Sequence, residues 1–171
     1  MVDANLLVTY DPSHRGGAKQ EVETVLKEVG ADPEFLESNV AGLFQLNVKE
    51  PKVIVKKLIA LCKSDKDKFN LTYHYIPVDE WVETDVQKMQ EVTKKLGERI
   101  KQEEKWKMNL NKRSYEGDTK DLIIKLTDPI DKPKVDLKNP DKIVQVEIIG
   151  NKTGISLLEK DELLEVPKLK V

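Results

Sequence analysis

Residues 105–113 read KWKMNLNKR. Trp106, Met108 and Leu110 alternate with Lys105, Lys107, Asn109 and Asn111, and Lys112-Arg113 follow. A period of two predicts a strand with one apolar face and one face of ammonium and amide groups. No carboxylate interrupts it, although the chain carries a formal charge of −2. Upstream, Met89, Val92, Leu96 and Ile100 recur at helical spacing, and Thr84-Asp85-Val86-Gln87 reads as a capping box with Thr84 as the N-cap. Downstream, Asp118 or Thr119 caps a short helix carrying Leu122, Ile123 and Leu126, which Pro129 and Pro133 end. An extended, proline-punctuated link over 131–141 leads to the strand KIVQVEIIG. Gly150-Asn151 is a hairpin signal, and KTGISLL returns antiparallel. The charged tail after Asp161 is expected to be loosely held.

The first half follows a different rhythm. NLLVTY, 5–10, is a short apolar run suited to a strand. Val22, Val25, Leu26 and Val29 then mark a helix with Gly30 at its end. Strands over 34–40 and 43–48 are joined across Ala41-Gly42. Pro51 opens a second helix presenting Ile54, Leu58 and Leu61, and FNLTYHYIPV, 69–78, closes the unit as a strand. The order β-α-β-β-α-β is the ferredoxin-like split arrangement, with both helices on one face of an antiparallel sheet. The fold class expected for the chain is therefore α+β.

Composition narrows the chemistry. With 171 residues and 39% hydrophobic content, the chain can bury a core. Its 35% charged content exceeds the usual value of about 25% and leans toward the ion-pair-rich proteins of thermophiles. Cys62 is alone, which excludes an internal disulfide or a thiolate metal site. The N-terminus lacks the basic and apolar regions of a signal peptide, and no run reaches the roughly 18 apolar residues of a membrane span. A cytoplasmic protein that makes no use of a membrane is expected. His14 and His74 stand 60 positions apart, and no Walker, dinucleotide-binding or nucleophile-elbow pattern is present. His74 reads as a strand histidine and Cys62 as a small core residue. His14 with Arg15, ahead of a helix, reads either as an anion site or as a plain loop. No catalytic residue, metal site or resident cofactor is expected.

The strand at 105–113 has two readings from chemistry alone. Lys105, Lys107, Lys112 and Arg113 suit phosphate, Asn109 offers an amide, and Tyr115 suits stacking on an unpaired base. The other reading is an edge strand guarded against aggregation by lysine.

A resemblance favours the first. The Lys112-Arg113 pair ends a strand, a helix follows, and Val135-Asp136-Leu137 with Pro140-Asp141 leads into Val144 and Val146-Glu147. Over roughly 84–160 this order resembles a THUMP domain. The first half is similar to the ferredoxin-like unit that precedes such domains, most of all in the stand-alone tRNA adaptors for cytidine acetylation. The resemblance implies a ferredoxin-like domain over 1–80 and a THUMP domain over 81–171. It also implies a non-catalytic archaeal protein that grips the acceptor stem and 3′ end of tRNA. A separate RNA cytidine acetyltransferase would use acetyl-CoA to form N4-acetylcytidine in the D-arm, since ending at Val171 leaves no room for a fused enzyme. The family's basic contacts fall on Lys107, Lys112 and Arg113, with Arg99 and Lys142 beside them. Two other readings stay open at this level: a ferredoxin-like regulatory or small-ligand module, and an enzyme that acts on RNA alone.

Overall fold

The strand Leu6–Tyr10 (β1) is the centre of the first sheet, and its neighbours explain why it is so apolar. The structure, a computed structural model, describes residues 3–171; Met1 and Val2, the start of the expected first domain, lie outside them. Helix Arg15–Glu28 (α1) follows β1, then strands Glu34–Leu36 (β2) and Leu43–Asn47 (β3), helix Pro51–Ser64 (α2) and strand Thr72–Pro77 (β4). The chain ends with the short strand Leu164–Glu165 (β9) and helix Val166–Leu169 (α5). The sheet order is β2-β3-β1-β4-β9, antiparallel throughout. With β1 between β3 and β4, the first four strands form the split βαβ arrangement read from the sequence.

One face of this sheet is closed by the two helices. Leu6, Val8, Phe44, Leu46 and Tyr75 meet Ala18, Val22, Val25 and Leu26 from α1 and Ile54, Val55 and Leu58 from α2. Pro51 occupies the first turn of α2, where its missing N–H costs nothing. Gly30 ends α1 at φ 83°, the left-handed region that a Cβ would oppose. Strands β2 and β3 are shorter than expected, and the Ala41-Gly42 junction is a turn with Gly42 at φ 80°.

The second sheet contains strands Glu80–Glu83 (β5), Trp106–Arg113 (β6), Lys142–Ile149 (β7) and Lys152–Glu159 (β8), in the order β5-β8-β7-β6. Helices Val86–Gly97 (α3) and Thr119–Thr127 (α4) cover one face. Strand β6 runs parallel to β7, which requires the crossover that α4 supplies. Met89, Val92, Leu96 and Ile100 pack with Leu122 and Leu126 onto Trp106, Met108, Val144, Val146 and Ile148.

The two units are Met1–Pro77 with Asp161–Val171, and Val78–Lys160. The tail therefore corrects the expected boundaries of 1–80 and 81–171. It is not loosely held: Leu164 pairs with Tyr75, and Leu164 and Val166 are buried in the first core. The N-cap of α3 is also corrected. Asp85, not Thr84, accepts from the Lys88 N–H at 3.0 Å, while the Thr84 hydroxyl bonds that of Thr153 at 2.9 Å. Among the described residues no helix is long and apolar enough to cross a membrane.

Candidate nucleic-acid interface

The alternation along β6 holds: Trp106 and Met108 are buried, while Lys105 and Asn111 are exposed. Both faces of the strand continue into β7. Asn109 lies opposite Gln145, Asn111 opposite Glu147 and Arg113 opposite Ile149. The face without helices therefore carries a row of polar side chains, and they bond to one another. Asn109 Nδ2 donates to Gln145 Oε1 at 2.9 Å, and Gln145 Nε2 donates to Glu147 Oε2 at 2.7 Å. Asn111 Nδ2 donates to the same Oε2 at 2.8 Å, and Arg113 donates from NH1 to Glu147 Oε1 at 3.0 Å. Glu147 is 1% exposed, so its charge is kept in the fold by these three donors.

Strand β6 runs through Arg113, and this changes the reading of the Lys112-Arg113 pair. Successive residues of a strand point to opposite faces. Lys112 shares the side of Trp106, Met108 and Leu110, and its Nζ donates to the Gly117 carbonyl. Arg113 lies on the polar side with Glu147. The two cations do not form one cationic corner. Beyond them Ser114 adopts φ 55°, and Gly150 N–H donates to the Arg113 carbonyl at 2.8 Å, which ends the strand.

The other expected contact residues separate into two groups. Lys105 faces Asp136 at 3.7 Å, and Lys142 pairs with Glu104 at 2.5 Å. The bond from Lys142 holds the Glu104 carboxyl below its ordinary range and raises the Lys142 ammonium. Arg99 is exposed and Lys107 half-buried, and among the described residues neither has a carboxylate partner. Tyr115 does not stand free as a stacking platform. It packs against the helix-side core, and a Cβ at Gly117 would come within 2.5 Å of its Cε2.

The link over 131–141 is fixed at its middle. Trp106 exchanges backbone hydrogen bonds with Lys134 and Asp136, both at 2.9 Å, and its Nε1 donates to the Lys132 carbonyl at 3.2 Å. Asp136 Oδ1 accepts the N–H groups of Lys138 and Asn139, and these bonds lower its pKa. It is a turn acceptor. Among the described residues no His, Cys, Asp or Glu cluster could hold a metal ion.

The sequence reading missed Gln145 and Glu147. Their signal was present: in KIVQVEII they alternate with Val144, Val146 and Ile148 as the asparagines alternate in β6. It also missed β5, whose Trp81 lies over Gly154, the residue opposite Glu147.

The order β5-β8-β7-β6, with two helices on one face and the paired polar strands on the other, coincides with a match to the THUMP domain model over residues 83–158. Residues 83–158 are thus similar to a THUMP domain. In fold, the chain is similar to the PH1313 protein of Pyrococcus horikoshii Ot3, with TM-score 0.60 and 17% identity over 91% of this chain and 55% of that one. It is also similar to TrmN from Thermus thermophilus, with TM-score 0.55 and 13% identity over 89% of this chain and 44% of that one. A 4-thiouridine synthetase solved as an RNA complex with bound ATP gives TM-score 0.50 and 14% identity over 96% of this chain and 42% of that one. The chain thus spans about half the length of the solved structures it matches. No curated protein matches it in sequence. The THUMP domain is an RNA-binding module.

Proposed function

We propose that the chain binds the acceptor stem and 3′ end of tRNA through its THUMP domain and presents the tRNA to a separate RNA cytidine acetyltransferase. That partner would use acetyl-CoA to make N4-acetylcytidine, and this chain would supply binding and geometry without catalysis, in the cytoplasm of an archaeal cell. The observation that carries the reading is the state of the cations on β6. Lys107, on the polar side of β6, has no carboxylate partner among the described residues, and Lys112, on the opposite side, donates only to a neutral carbonyl, so uncompensated ammonium charge flanks both sides of an edge strand. Such charges gain free energy from phosphate by releasing its condensed counterions. They fix the position of the RNA, while the spacing to the partner decides which nucleotide reacts. Lys105 and Lys142, already paired with acids, contribute less.

Binding of a tRNA transcript across a salt series tests the first half. Replacing Lys107 and Lys112 together with Ala should cost about 2 kcal/mol of affinity and flatten the salt slope by roughly 1.5, with thermal stability unchanged. Wild-type affinity and slope in that variant would remove the interface. The second half is tested by incubating tRNA and acetyl-CoA with the acetyltransferase, with and without this chain. Acetylation should need both proteins. Product from this chain alone, or an acetyltransferase indifferent to its presence, would reject the adaptor role.

A further inference from the structure

Arg113 has two possible fates beside Glu147. It is either neutralised and withdrawn from RNA, or held in place for it, and the geometry discriminates. Glu147 is 1% exposed and Arg113 is 22% exposed, so the carboxylate lies beneath the guanidinium and does not compete with it at the surface. A guanidinium has five N–H donors in a rigid fork, and only one of them, on NH1, is engaged by Glu147. The other oxygen of Glu147 is saturated by Asn111 and Gln145, and Gln145 in turn holds Asn109. The carboxylate thus has a fixed orientation of its own before Arg113 arrives.

We propose that Glu147 is a positioning residue for RNA binding. It anchors one edge of the Arg113 guanidinium to the polar face of the β6–β7 pair and turns the remaining N–H groups outward to a backbone phosphate of the bound RNA. The proposal rests on the RNA-binding reading above. Its energetic logic is preorganisation. An arginine whose side chain is already ordered loses less conformational entropy when it grips phosphate, and its fork is held at the angle that a two-bond contact needs.

Glu147→Gln tests it with little change of shape. The amide oxygen keeps the bonds from Asn111 and Gln145 by taking the place of Oε2. The new NH2 then faces NH1 of Arg113, donor against donor, and the guanidinium is released. Full-length protein and a tRNA transcript are titrated over a salt series, with thermal unfolding recorded for each variant. E147Q should bind about tenfold more weakly, with its salt slope lower by roughly 0.7–0.9, the share of one phosphate contact. A purely structural loss would lower affinity equally at all salt concentrations and leave the slope alone. Adding Arg113→Gln to E147Q should bring no further loss, because the released arginine no longer contributes. Arg113→Lys, which keeps Glu147 and a cation but not the fork, should also lose about tenfold; it decides the matter if E147Q does not fold.

Tighter or unchanged binding by E147Q would overturn the proposal, since Glu147 would then be a restraint on Arg113 or irrelevant to it. So would a further tenfold loss on adding R113Q, or wild-type binding by R113K. If the wild-type chain binds and the Lys107/Lys112 variant does not, while E147Q is unaffected, the inference fails and the RNA-binding reading stands. If the wild-type chain does not bind tRNA at all, both fail.

Discussion

Glu21 in the first unit and Glu147 in the second are both carboxylates taken out of bulk water, yet they face different kinds of donor. Glu21, on α1, accepts the backbone N–H groups of Asn70, Leu71 and Thr72 and the Thr72 hydroxyl, at 2.7–3.1 Å. Glu147, on β7, accepts only side chains: Asn111, Gln145 and Arg113. Backbone donors are obligatory, because a buried N–H must find an acceptor wherever the chain runs. Glu21 therefore fixes the path into β4, and its role ends with the fold. Side-chain donors carry no such obligation. A network of them on a sheet face satisfies a buried carboxylate and at the same time orders the side chains around it.

The contrast has thermodynamic consequences. Replacing Arg113 with Ala leaves Glu147 charged and almost wholly buried with two amide donors. Stability to urea should fall by about 3 kcal/mol, and adding E147Q to that variant should restore a substantial part, because it removes the unpaired charge. A loss that E147Q does not relieve would mean that Arg113 matters through packing alone. Glu21 is only half-buried and Asn70 among its partners is exposed, so Glu21→Gln should cost less, about 2 kcal/mol, from N–H groups left facing an amide NH2. No variant at Glu21 should alter the tRNA affinity of the folded protein. A change in affinity at full folding would mean that the two carboxylates are not divided between fold and surface.

Much of this architecture was legible because it is periodic. Helices α1, α2 and α3 announced themselves through residues such as Val22, Leu58 and Met89, and β6 through its alternation. Elements too short to show a period were lost. Strand β5 is the four residues EWVE, and β9 is the pair Leu164–Glu165, whose burial against Tyr75 depends on a strand some 90 positions away. The capping-box pattern pointed to Thr84, but its hydroxyl is taken by Thr153 on β8, and Asp85 caps α3 instead. The site was legible as composition and not as geometry. Whether Lys112 and Arg113 share a side depends on β6 ending before or after them, and one residue of strand inverts the answer. The bonds of Glu147 depend on its register against β6, set across a long crossover that leaves no local trace.

Lys142 and Glu104 show the weak end of the same scale. The bond from Lys142 and the N–H of Lys101 hold the Glu104 carboxyl below its ordinary value of 4.5, and the bond to Glu104 holds Lys142 above 10.5. A lowered carboxyl stabilises the fold above its unfolded value and loses that contribution as pH falls through the folded one. A raised ammonium stabilises it below its unfolded value and loses that contribution as pH rises through the folded one. The pair therefore acts between about pH 4.5 and 10.5 and fades on either side. Both groups keep contact with solvent, so Glu104→Gln should cost only about 0.5–1 kcal/mol at neutral pH, and the variant should converge with the wild type as pH falls through the lowered value of the folded carboxyl. Urea titrations at pH 7 and pH 3.5 read the difference. A gap that persists in acid would assign the loss to the Lys101 turn and not to the ion pair.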